Sequence, residues 1–214
     1  MSNFEYIISS LPYLTMDFKY AGQTGFNSVI SDIKRDLDEK DQGLVDFLIK
    51  GFSEKGLDAD FYAQALRNRN RFLREYFRFD LNLRNAKVRY LNAQLGRPAD
   101  TDVITGEEPD APDTDIDGFR FTGGEFEEEA KVNAVLAEND LLAREKGIDD
   151  LVWDKVDRLA TFHYFDIDAV LAYLAKLHIV NRWLALDEEI GRERFHRLIG
   201  EVLSTFKGVK YTEQ

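Results

Sequence analysis

Three histidines, His163, His178 and His196, are the only imidazoles in the chain, and it has no cysteine. Thiolate metal sites, disulfide scaffolds and cysteine nucleophiles are therefore excluded, and a centre built from several histidines is disfavoured. His163 stands in Phe162-His163-Tyr164-Phe165-Asp166, where the nearby carboxylate could orient the ring as a general base. No nucleophile partner accompanies it, so it also reads as the entry to a helix within an aromatic cluster. His178 falls on an apolar run and reads as a hydrogen-bonded core residue. His196, beside Arg194 and Arg197, reads as exposed. Paired carboxylates occur at Glu127-Glu128-Glu129 and Glu188-Glu189. Glu193 and His196 have the Glu-x-x-His spacing of a di-iron bundle, but that chemistry needs a second copy on a facing helix, and none is present. Phosphate-cradling glycine loops, a GxSxG elbow and HExxH are all missing, and Gly22 to Gly25 form a turn with no lysine behind it. The residue pattern is that of a non-enzyme with no cofactor and no metal.

Charge is the stronger signal. The formal net charge is −12, which disfavours general affinity for nucleic acid or an anionic membrane. From Arg97 to Glu129 twelve acidic residues face only Arg97 and Arg120, and the same stretch holds Pro98, Pro109 and Pro112. The run from Arg97 to Gly118 lacks apolar periodicity and is expected to be a mobile, exposed loop or linker. Asp110 to Asp117 has the acidity of a calcium site but not the EF-hand spacing, central glycine or closing glutamate. Just upstream the sign reverses. Arg67, Arg71, Arg74 and Arg78 would share one stripe of a helix, a candidate docking face for an acidic partner. The simpler reading is a solvated face that neutralises the chain's own acidic segment.

The elements that must position these groups read as helices. At 214 residues and 44% hydrophobic composition, the chain can bury a real core. Phe26 to Leu37 and Leu44 to Ile49 carry helical periods, with Asp41 as N-cap and Gly51 closing the second helix. Asp58 or Asp60 opens a run that continues to Gly96, as one helix or as two broken at Phe79-Asp80; its length implies an extended shape. Thr122 to Glu125 fits a capping box for a helix through Leu142 that ends at Gly147. Asp149 or Asp150 caps the next helix, Asp166 caps Ile167 to Leu186, and a last helix spans Asp187 to Phe206. Phe4 to Ile8 is a short strand or a helix. The expected fold is an all-α, elongated helical bundle: a unit over 1–96, an acidic linker over 97–121 and a unit over 122–214, packed as one domain. Tyr76 to Asn82 and Phe162 to Asp168 echo one another, as if aromatics packed ahead of an Asp-capped helix in two related units. The most apolar stretch, Ala169 to Leu186, contains Lys176, His178, Asn181 and Arg182 and is not read as a membrane span. The start carries no recognisable signal or transit peptide, so the expected location is the cytoplasm.

The run Ala169-Val-Leu-Ala-Tyr-Leu-Ala-Lys-Leu-His-Ile-Val-Asn-Arg-Trp-Leu184 resembles the C-terminal helix of the V/A-type ATPase central-stalk subunits of the C type, which correspond to the d type in eukaryotes. Asp80 to Gly96, with Arg84-Asn85, looks like an earlier helix of that family; the later pair reads Asn181-Arg182 here. The opening Phe4-Glu-Tyr-Ile-Ile-Ser-Ser-Leu-Pro-Tyr-Leu14 is similar to an uncharacterised bacterial family encoded among V-type ATPase subunits, a resemblance that covers most of the chain. What it implies is a non-catalytic, soluble adaptor joining the central stalk to the membrane rotor ring, peripheral to the inner membrane and without direct membrane insertion or nucleic-acid binding. Its partners would be other V-type ATPase subunits. Arg67, Arg71, Arg74 and Arg78 are the first interface candidates, followed by Tyr173 and Trp183 on the apolar helix. A helical scaffold or assembly factor for another complex is the alternative, and a small hydrolase using His163 is a third.

Overall fold

The computed structural model describes residues 2–15, 25–53, 56–105 and 126–185. It is all-α, with no β-strand among the described residues. Phe4–Ser10 is a helix, α1, because Asn3 accepts the Tyr6 amide and caps it. Phe26–Asp36 (α2) and Glu39–Lys50 (α3) form the expected hairpin. The cap of α3 is Asp38, not Asp41; Asp41 sits in the first turn and accepts from Ser2. Gly51 ends α3 at an ordinary φ, and its reason is packing: a Cβ there would lie 2.3 Å from the Phe77 ring. Phe47, Phe61 and Phe77 stack and meet edge-on beside it, with centroids 5.0 to 5.8 Å apart.

Asp58 caps Ala59–Leu66 (α4), and Asn70 caps Arg71–Gln94 (α5). The long basic segment is thus broken at residues 67–70, not at Phe79-Asp80. Asp80 lies in mid-helix, where it accepts from the Tyr62 hydroxyl at 2.6 Å and from Arg84 at 3.3 Å. Gly96 stops the chain at φ +66, the left-handed region that favours glycine. The residues that follow lie back on α5. Asn92 donates to the Ala99 and Thr101 carbonyls, Asn85 exchanges hydrogen bonds with Ile104, and Arg89 pairs with Asp100. The start of the acidic segment is thus an exposed loop, as expected, but one tied to α5 through Ala99, Asp100, Thr101 and Ile104. The calcium candidate at 110–117, the Thr122 capping box and the final helix lie outside the described residues.

Glu129–Leu136 (α6), Leu141–Leu159 (α7) and Ile167–Leu184 (α8) complete the order. Gly147 does not end a helix, and Asp149 and Asp150 do not start one; all three lie inside α7. Gly147 lets α6 approach, since a Cβ would sit 2.7 Å from Val135. Asp166 caps α8 through the Ala169 amide, as the sequence predicts.

Helix α8 is the centre. It packs on α1, α2, α3, α5 and α7, which explains apolar residues almost all round it. One core joins Val45, Leu48, Phe61, Phe77, Val156, Leu171 and Leu174, so helices from both sides of the acidic segment bury the same surface. A second cluster packs Phe79 and Leu83 of α5 on Val132, Leu136 and Ile148. None of the described helices is long and apolar enough to cross a membrane.

Candidate partner-binding surface

The expected arginine stripe is split by the break before α5. Arg67 is the C-cap of α4, while Arg71, Arg74 and Arg78 lie on α5. Arg74 and Arg78 are turned to internal work. Arg74 donates to the Asn68 carbonyl at 2.9 Å and lies 3.8 Å from Glu75; Arg78 pairs with Glu75 at 3.1 Å. Their side chains are only 19% and 29% exposed; Arg74 braces the α4–α5 turn and Arg78 pairs along α5, so neither presents an open docking face. Tyr173 is likewise half-buried, and its hydroxyl donates to the Pro12 carbonyl, tying the N-terminal segment to α8. Trp183 donates its indole N–H to Asp149 at 2.5 Å. Neither is placed as a free aromatic anchor.

What remains exposed is the turn itself. Arg67, Arg69 and Arg71 all face solvent, with no carboxylate within 4.0 Å among the described residues.

The turn is joined to a second loop. Asn70 caps α5 with its side-chain oxygen and donates its amide N–H to Asp168 at 2.5 Å. Asp168 stands in the first turn of α8, and His163 Nδ1 lies 3.8 Å from it and 2.6 Å from Asp166. His163 is thus a clasp on the α7–α8 loop, oriented by carboxylates as its spacing predicts. The loop closes with the His163 amide on the Ala160 carbonyl at 2.9 Å.

The aromatics of that loop do not pack before the helix. Phe162, Tyr164 and Phe165 are 83%, 66% and 58% exposed. Phe162 also has φ +72, a left-handed conformation that is costly for a bulky residue. The expected echo fails for the same reason: Tyr76 to Asn82 lies inside α5, whereas Phe162 to Asp168 is a loop and a cap. Arginine and aromatic side chains are the types that dominate binding energy at protein interfaces. Here three of each border one pair of stitched loops. Sequence reasoning missed the aromatics because the turn to which their loop is stitched lies 98 residues earlier, at Asn70; an Asp-capped loop with three aromatics was the available signal.

Of the remaining candidates, His178 is neutral and apolar in character. Its ring stacks on Phe52 with centroids 4.1 Å apart, and burial, aided by the Arg182 charge, lowers its pKa to about 4. His196, Glu188-Glu189 and Glu193 lie outside the described residues. Glu128 is buried and receives Lys155 at 3.1 Å and Arg158 at 2.9 Å, a brace of α6 on α7. Among the described residues no group of three histidine or carboxylate side chains is placed to hold a metal ion.

No curated protein and no solved structure matches the chain. A family model described as a protein of unknown function, DUF2764, matches residues 49–205, and the chain belongs to that family.

Proposed function

We propose that this chain is a non-catalytic adaptor of a bacterial V-type ATPase, similar in role to the C-type stalk subunits, which couple the central stalk to the membrane rotor ring. The observation that carries the reading is that two loops linked by the Asn70–Asp168 hydrogen bond leave Arg67, Arg69 and Arg71 exposed on one and Phe162, Tyr164 and Phe165 exposed on the other. An adaptor needs a rigid body and an adhesive face. Here two loops are fixed to α5 and α8 by caps and hydrogen bonds, and the side chains they carry are left uncovered. The complementary partner is an acidic surface with an apolar pocket: carboxylates meet the guanidinium forks, and the pocket takes the aromatic rings. Resemblance of Ala169 to Leu184 and of Asp80 to Gly96 to the C-type stalk family supplies the identity of that partner. The location that follows is cytoplasmic, at the membrane only through partner subunits.

The test is co-purification of the tagged full chain from its host, with the recovered proteins identified. Recovery of V-type ATPase stalk and ring subunits at fixed stoichiometry supports the proposal. Recovery of a different complex, free of ATPase subunits, replaces it with the scaffold reading.

A further inference from the structure

Asp80, Arg84 and Lys87 recur at helical spacing on one face of α5 and open on a cleft of about 540 Å³. Its other walls are α7, α8 and the residues that end α3. Small-molecule sites fall in this range, roughly 300–1,000 Å³. The two carboxylates inside it each take their protein donors on one oxygen, Oδ2. Asp80 receives Tyr62 and Arg84; Asp149 receives Trp183 and Arg182.

The cations are not used up by these pairs. Arg84 reaches Asp80 through Nε alone, and Arg182 reaches Asp149, and Glu145 at 3.7 Å, through Nη2 alone. Lys87 has no carboxylate within 4.0 Å among the described residues. Burial pushes its ammonium below the ordinary lysine range, and Arg182 adds to this against the attraction of Glu145, Asp80 and Asp149. A half-buried ammonium and the unspent guanidinium N–H groups of Arg84 and Arg182 therefore line a cavity whose remaining side-chain carboxylate acceptors are the second oxygens of Asp80 and Asp149, fewer than the donors. One wall is of another kind: the Phe52 and His178 rings stack there, 4° from parallel.

The geometry points to a binding site for a small phosphate-bearing anion, held by Lys87 and the unspent guanidinium nitrogens of Arg84 and Arg182. A carboxylate would supply two oxygens, fewer than the surplus donors; a phosphate group supplies three and a larger charge. The site is built on other residues than the docking loops and stands independently of the adaptor reading.

Isothermal titration of the full chain with sodium pyrophosphate, and separately with ATP, at constant ionic strength tests it. Saturable one-site binding is expected. Lys87→Met should weaken it about tenfold or more while the unliganded melting temperature holds or rises, because a desolvated charge without a partner has been removed. Lys87→Gln, which keeps a polar head group, should lose affinity to the same degree and serves if the methionine variant does not fold. Tighter binding of ATP than of pyrophosphate assigns the Phe52–His178 wall to a base; equal binding assigns recognition to the phosphates alone. Absence of saturable binding by either compound, or unchanged affinity in both Lys87 variants, overturns the site.

Discussion

Asn70 and Asp168 are 98 residues apart in sequence and 2.5 Å apart in the fold. One amide starts α5 through the Leu73 N–H and binds the first turn of α8. Asn70→Ala should therefore lose a cap and a hydrogen bond to a carboxylate, about 2 kcal/mol in urea denaturation. Asn70→Asp keeps the cap but sets two carboxylates face to face. It should be destabilised at pH 7 and recover as the pH falls toward 4. Equal stability of Asn70→Asp and the parent at pH 7 would remove this stitch from the account.

Phe162 combines the largest exposure among the bulky apolar side chains of the described residues with a positive φ. Phe162→Gly removes the Cβ that makes this conformation costly, so the protein should gain about 1 kcal/mol despite losing a phenyl ring. On the proposed docking role of this loop, partner affinity should fall as well. A variant that is less stable than the parent in thermal denaturation shows that the ring packs on its own fold.

Asp149 is only 4% exposed, and burial pushes its carboxyl above the usual range even though Arg182 and Trp183 favour the charged form. Asp149→Ala leaves Arg182 without its closest partner and an indole N–H without an acceptor. A loss of about 3 kcal/mol is expected by chemical denaturation. A loss below 1 kcal/mol would mean that the network contributes little to holding α7 on α8.

Acid sensitivity should have a component from His178. Its folded pKa of about 4 lies below the unfolded value near 6.5, so the native ring stays neutral where the unfolded ring takes up a proton. This contribution is fully present above pH 6.5, is lost as the pH falls from 6.5 to 4, and amounts to at most about 3 kcal/mol. His178→Phe keeps a ring against Phe52 and Phe26 but cannot titrate. The difference in stability between the two proteins should change across that window alone. A constant difference contradicts the assignment.

Local signals in the sequence carry most of the helices. Asp58 and Asp166 cap as their positions indicate, Gly96 stops a helix, and the all-round apolarity of α8 means central burial. The errors have one physical origin: residues that punctuate helices also serve tertiary contacts. Gly147 looks like a stop and is a contact point for Val135; Asp149 looks like a cap and is a buried acceptor for two α8 side chains. Periodicity placed Arg74 and Arg78 on an exposed stripe but could not show Glu75 and the Asn68 carbonyl taking them inward. The proposed docking surface was half legible. Arg67 and Arg71 follow from the charge run, whereas the aromatics join them only through the Asn70–Asp168 bond, which no local pattern encodes.

The central claim is that Arg67, Arg69 and Arg71 present the chain to an acidic partner within a V-type ATPase. Its most direct test is the affinity of purified central-stalk subunits for the parent chain and for the Arg67→Glu, Arg69→Glu, Arg71→Glu variant, measured across salt concentrations. The parent should bind with an affinity that falls as salt rises, whereas the variant should stay folded, bind at least about 100-fold more weakly and lose that salt dependence. Equal affinity of the two proteins at every salt concentration would contradict the docking surface, and no binding by the parent would contradict the adaptor role itself.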